Sequence, residues 1–253
     1  MSGAHRDLLT RAFILRKTPF KDSSFILECF SEKAGKISVI AKGIRRENNK
    51  DSGMIELLND LEIRLTGKPE SPWYILKSVN LIKSYFQEID LNTNILMQSA
   101  LETYRQLEIP REEASALYDL TIRYFDTLIS TSHNGIAIFW RFLLRILRIF
   151  GIEFDLQLCV ICGKSENTPA AFYPSGNGFL CSYCHQQQSG SLSIPIMPET
   201  ADLLVKMKNI GNYLQEMIIS PATIQEINQI LFLHFSEHLH TGFHLKSLEY
   251  YRP

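Results

Sequence analysis

Cys159-Val160-Ile161-Cys162, followed by Cys181-Ser182-Tyr183-Cys184, decides how the second half of this chain is held together. Two C-x-x-C pairs separated by eighteen residues fall within the spacing of a four-cysteine zinc site. Zinc takes four soft ligands in a tetrahedron, at about 2.3 Å from each sulfur. Two cysteines so close in sequence can wrap one side of the ion in a tight turn, and a second such turn supplies the other side. Gly163 lets the first turn reverse, and Pro174, Gly176 and Gly178 read as a short hairpin rather than a helix. Two redox dithiols, or unpaired buried thiols, are the alternative. Four thiolates leave no coordination position for water, so a zinc ion here holds structure and hydrolyses nothing. Metal binding of this kind adds roughly 10 kcal/mol of folding energy to a segment with little core.

The 253 residues suffice for one large domain or two ordinary ones. A hydrophobic content of 45% with 21% charge is that of a globular protein and excludes a disordered or fibrous chain. No apolar run reaches the ~18–20 residues that span a bilayer. Met1–Thr10 is polar and lacks a signal-peptide core. Five cysteines, four of them in a metal pattern, suit a reducing compartment, so a cytoplasmic location is expected. The fifth, Cys29, lies in an apolar run and reads as core. Charge is unevenly spread: residues 1–85 carry 15 Lys/Arg against 10 Asp/Glu, and residues 86–253 carry 11 against 17. A polyanion would meet the front of the chain first.

From Arg11 to Tyr85 the hydrophobic period is two. Strands are expected at Arg11–Thr18 (ended by Pro19), Ser23–Phe30, Gly35–Ile44, Leu58–Leu65 and Trp73–Tyr85. Turn signals at Pro19, Lys33-Ala34-Gly35 and Gly67–Pro72 separate them. Five short strands point to a small barrel, either of the OB kind, which binds oligonucleotides, or a generic SH3-like module. In the third run Ile37, Val39 and Ala41 share one face, and Lys36, Ser38 and Lys42 the other. Lys42, Arg45 and Arg46 cluster at its end, Lys50 follows in a polar loop, and Arg16, Lys17 and Lys21 flank the first turn. Phe20 and Phe25 stand nearby. A basic groove with aromatic platforms suits single-strand binding; a solvated charged loop beside core phenylalanines is the alternative.

From Asn92 the period becomes 3.6. Helices are expected at Asn92–Leu107, Glu112–Thr131, Ile136–Phe150 (ended by Gly151), Glu199–Asn209 and Ala222–His240. The third is apolar most of the way round and reads as the centre of a bundle. Its polar stripe, Arg141, Arg145 and Arg148, lies on one side. Three like charges want anions: neighbouring carboxylates, phosphates, or the acidic end of a partner peptide. His234, His238, His240 and His244 crowd the end of the last helix and read as a surface cluster; His234 and His238, at i and i+4, could instead share a metal.

A barrel followed by a helical region interrupted by paired cysteines resembles the RecO family of bacterial recombination mediators. PFKDSSFILECFSEKAGKISVIAKGIRR (Pro19–Arg46) is similar to that family's amino-terminal signature. RFLLRILRIFGIEFDLQLCVICG (Arg141–Gly163) resembles its helix leading into the first cysteines, and HLKSLEYY (His244–Tyr251) its carboxy-terminal segment. The resemblance covers nearly the whole chain in the same order. It implies an α+β protein: an OB-type DNA-binding barrel over residues 1–85, then a helical domain over 86–253 with an inserted zinc ribbon at 156–192. It implies binding of single- and double-stranded DNA and annealing of complementary strands. It implies action with RecR, and in some bacteria RecF, to load the recombinase onto DNA coated by single-strand-binding protein, whose acidic tail the helical domain receives. Lys42, Arg45 and Arg46 become DNA-contact candidates, joined by Arg16, Lys17, Lys21 and Lys36. Cys159, Cys162, Cys181 and Cys184 become ligands of a structural Zn²⁺. After Arg46 the chain reads ENNKDSGMIELLND, less basic and less aromatic than the family's usual loop.

No catalytic motif competes. Gly163-Lys164-Ser165 looks like the end of a phosphate-binding loop, but Leu158 stands where that pattern needs glycine. G-x-S-x-G, H-E-x-x-H and G-x-G-x-x-G are all missing. A non-enzymatic protein-interaction scaffold braced by the ribbon is the remaining alternative.

Overall fold

A computed structural model describes residues 6–68, 70–86, 89–165, 169–187 and 193–252. Residues 1–5, and 166–168 and 188–192 of the expected ribbon, lie outside the described residues. The chain groups into two compact units, Met1–Ile129 with Leu245–Tyr251, and Ser130–His244 with Arg252–Pro253.

In the first unit, strands β1 (Arg6–Phe20), β2 (Ser24–Ser31), β3 (Gly35–Ala41), β4 (Asn59–Gly67) and β5 (Trp73–Ser84) close into a barrel of order β1-β2-β3-β5-β4. All neighbours are antiparallel except β3 and β5. This is the OB arrangement. β1 is longer than the sequence suggests at both ends. Its first half pairs with β4 and its second half with β2, and Ala12 sits opposite both Leu61 and Ser31. Pro19 stays in the ladder opposite Phe25, near the hairpin's end, where a missing N–H costs little. β3 ends at Ala41 rather than Ile44, because the chain turns there to lay Arg45 N–H on the Ser23 carbonyl (2.9 Å).

Alternation puts Ile14, Leu27, Cys29, Val39, Leu61 and Ile63 inside the barrel. Phe13 and Phe30 point outward, yet both are buried. They are covered by helices α1 (Leu91–Gln106) and α2 (Ala114–Ile129): Tyr104 stacks on Phe30 at 4.4 Å between centroids, and Tyr118 on Phe13 at 5.2 Å. Asp90 caps α1, accepting the Thr93 hydroxyl and N–H, and those bonds hold its carboxyl below the usual range. Beneath α2, Asp60 is 1% exposed and accepts from the Arg11 guanidinium and from the Tyr118 hydroxyl at 2.6 Å. Burial and the facing carboxylate raise Tyr118 far above the ordinary phenol range.

In the second unit, α3 (Gly135–Ile149) is the central helix, with Phe139, Trp140, Leu143, Ile146 and Leu147 buried. It ends in a Schellman turn. Gly151, at φ +68°, donates to Arg148 O (3.0 Å), and Ile152 N–H donates to Leu147 O (2.9 Å). The Ile152 carbonyl then meets His234 Nε2 at 2.7 Å. His234 belongs to α6 (Pro221–Leu239) and is fully buried between Phe154 and His238, so the expected surface histidine cluster does not include it. Burial pushes its imidazole below the ordinary range, and its Nδ1 has no hydrogen-bond partner among the described residues. The remaining elements are the β6–β7 hairpin (Ala171–Tyr173, Gly178–Leu180), α4 (Ser182–Gln187), β8 (Ile194–Pro195) and α5 (Pro198–Lys206), the last continued by a 3₁₀ turn over Met207–Asn212. Among the described residues no helix is long and apolar enough to cross a membrane.

Tyr118→Phe removes one buried hydrogen bond to a charged acceptor and should lower the unfolding free energy by about 2 kcal/mol. Urea denaturation checks it. A change below about 0.5 kcal/mol would show that Arg11 alone satisfies Asp60.

Candidate nucleic-acid interface and metal centre

The end of the barrel at the β1–β2 turn collects cations. Lys21 occupies the turn in the left-handed region at φ +52°, with Asp22 beside it. The chain leaving β3 is tied to that turn by the Arg45–Ser23 backbone bond and by Gly43 N–H donating to Ser24 Oγ (3.3 Å). Lys21 and Arg45 are thereby brought together although distant in sequence. Arg16, Lys21, Lys42, Arg45 and Arg46 are exposed and form no ion pair among the described residues. Lys17 and Lys36 differ. Lys17 pairs with Glu56, and Lys36 lies 3.6 Å from Glu108 while donating to the Arg105 carbonyl (3.3 Å). The aromatic expectation shifts as well. Phe25 packs against the barrel interior, with Lys17 and Arg45 over its ring at 5.8 and 5.4 Å, and Phe20 is half-buried. Neither presents an open face. Trp73, at the start of β5, is exposed, which a sequence cannot show because it depends on which way the strand's alternation falls.

The four cysteines of the paired motifs converge, with all their Sγ atoms within 4.8 Å of one another. Cys162 and Cys181 Sγ stand 3.9 Å apart. The edge of a zinc–thiolate tetrahedron with ~2.3 Å bonds is about 3.8 Å, so the set fits that ion. Gly163 N–H closes the first turn on Cys159 O (2.8 Å), with Gly163 at φ +67°. Cys184 N–H points at Cys181 Sγ (3.4 Å) across the start of α4. Gly178 is required by packing, because a Cβ there would meet Val160 Cγ1 at 2.3 Å. Burial raises the Cys159 thiol, but N–H groups from Cys162, Cys181 and Ile161 outweigh it and bring the group down to about 6. Cys184 is pushed up to about 12 by burial and by its sulfur neighbours. A thiolate is therefore favoured at Cys159 and resisted at Cys184, and a dication held among the sulfurs would favour it at both.

The arginine stripe of α3 lines a cleft of about 390 Å³ in the second unit. Arg141, Arg145, Arg148 and Lys208 supply its positive charge, Glu153 and Asp155 its negative charge, and Leu144 and Met207 part of its apolar wall. Arg148 is bound to Glu153 at 2.6 Å, so the intramolecular pairing and the anion-receiving readings both have a foothold. Lys208 comes from the 3₁₀ turn after α5, and no periodicity in α3 could have signalled it.

Comparison with known proteins covers most of the chain. Residues 5–85 match the family described as Recombination protein O N terminal, and residues 89–249 match Recombination protein O C terminal. A DNA repair protein RecO from Prosthecochloris aestuarii is 28% identical, over 67% of this chain and 69% of its own. A DNA repair protein RecO from Aliivibrio salmonicida is 24% identical over 97% of this chain and 95% of its own, and one from Acetivibrio thermocellus 24% over 93% of each. The two profiles, in the order of the barrel and the helices, show that the chain belongs to the RecO family of recombination and DNA repair proteins.

Proposed function

We propose that this protein is a recombination mediator that binds single- and double-stranded DNA, anneals complementary strands, and helps load the recombinase onto DNA coated by single-strand-binding protein. The observation that carries it is the open basic end of the barrel, where Arg16, Lys21, Lys42, Arg45 and Arg46 are exposed without ion-pair partners among the described residues. Annealing needs two polyanions side by side, and cations that displace condensed counterions lower that repulsion. No bond is made or broken in this process, so the protein acts without catalysing a reaction. Residues 1–85 are assigned to DNA and 86–253 to protein partners: RecR, RecF in some settings, and the acidic tail of single-strand-binding protein. The cationic, partly apolar cleft along Arg141, Arg145 and Arg148 is suited to that tail. Cys159, Cys162, Cys181 and Cys184 hold a structural zinc ion that pins the segment 156–192, and the protein works in the cytoplasm at the nucleoid. As a scaffold that binds only proteins, the chain would have no use for the unpaired cations on the barrel.

Three outcomes follow. Replacing Arg45 and Arg46 together by alanine should weaken binding of a single-stranded oligonucleotide and flatten the slope of log K against log salt by about 1.4; an unchanged slope removes both from the interface. Arg145→Glu should weaken capture of an acidic, hydrophobic-ended peptide at least about tenfold by placing like charges together, with oligonucleotide affinity unaltered, as read by fluorescence anisotropy. Cys181→Ser should release the zinc measured by metal analysis and lower the melting temperature, while annealing is partly kept. Undiminished metal content in that variant would contradict the four-cysteine site.

A further inference from the structure

Helices α1 and α2 cover only one end of the barrel's outer surface, the end marked by Phe13 and Phe30. Two rows further along, the ladder registers define an uncovered face. In one row Thr18, Ile26, Ile40 and Ile75 lie side by side across β1, β2, β3 and β5. In the adjacent row Arg16, Glu28, Ser38 and Trp73 do the same. The isoleucines are half-buried; Trp73 is 39% exposed, and its indole makes no ring contact among the described residues. The apolar stripe is bracketed by cations. Arg16 stands at one side, and Lys42 and Lys77 lie just beyond Ile40 and Ile75. The one acid within it, Glu28, lies 3.9 Å from Arg105.

We propose that Trp73 is a base-stacking platform for unpaired nucleotides on this face, with the isoleucine stripe beneath the neighbouring base and Arg16 and Lys42 on the phosphates. The proposal rests on the DNA binding assigned to the barrel and adds what distinguishes single strands from duplex there. An exposed indole flanked by aliphatic side chains suits any base's π-face, and cations at the spacing of a strand's edges suit its backbone. Paired bases are already stacked within the duplex and cannot reach the indole. Of the chain's two tryptophans the other, Trp140, is fully buried and donates to Asn228 Oδ1 at 2.7 Å, so a nucleic-acid-dependent change in emission reports Trp73.

The test is titration of the full chain with a thymidine oligonucleotide and with a duplex of equal length, followed by emission and by anisotropy. Emission should be quenched by the single strand and little by the duplex. Trp73→Ala should weaken single-strand affinity about tenfold and leave duplex affinity within about twofold, and Trp73→Phe should lose the quenching while keeping the affinity. Salt-dependent single-strand binding with unquenched emission, or with Trp73→Ala behaving as the parent, overturns the platform and leaves the DNA-binding reading standing. Equal quenching by duplex, or an emission shift that depends on protein concentration without DNA, as a second copy on this face would give, also overturns it. Loss of all salt-dependent DNA binding in the parent protein would overturn the DNA-binding reading itself.

Discussion

The first unit depends on one strand serving two neighbours. β1 runs for fifteen residues and hands over from β4 to β2 at Ala12, so its backbone groups are satisfied along both halves. The parallel β3–β5 pair then completes the ring, and no long edge is left to pair with another chain. Closure also decides where chemistry can sit. The interior is filled with aliphatic side chains, so a ligand has only the outer surface and the loop ends. α1 and α2 occupy part of that surface through Phe13 and Phe30, and the cations gather on what remains.

Polar groups beneath α2 make that docking specific. The Asp60 carboxylate is satisfied by Arg11 from β1 and by Tyr118 from α2, and a buried charge so paired costs much less than one left alone. Aromatic contacts alone would allow the helix to slide, whereas one carboxylate with two directional donors admits a single placement. In the second unit the end of α3 plays a similar part. Its Schellman turn frees the Ile152 carbonyl for His234 on α6 and brings Glu153 back to Arg148. The same turn sets Phe154 against Phe172 and Phe179 of the hairpin between the cysteine pairs. The arginine cleft and the metal centre thus share one short connection.

The cysteine segment has little else to hold it. Its hairpin strands are three residues each, α4 has six, and Leu158, Val160, Ile161 and Tyr183 stay exposed beside the four sulfurs. So small an apolar cluster offsets little of the entropy of ordering the loops, which is the situation in which a metal held by the four cysteines would add folding energy.

Much of this was readable from residues alone. The period of two through Ile37, Val39 and Ala41 and the change to helical spacing after Asn92 reflect burial of one face, a local property that sequence records directly. The cysteine spacing is equally local, because two residues between ligands already fix a turn. Three things only the folded chain decided. His234 stands on the buried stripe, three and four residues after Leu231 and Ile230, but only the folded chain brings Phe154 and the Ile152 carbonyl to its imidazole. Phe25 packs inward and Trp73 stays exposed, since the face an aromatic presents depends on strand register and on what packs above it. Among the described residues, Lys17 and Lys36 found acids from distant segments while Arg16, Lys42, Arg45 and Arg46 did not. A charge's partners are set by through-space distance, which no one-dimensional pattern contains.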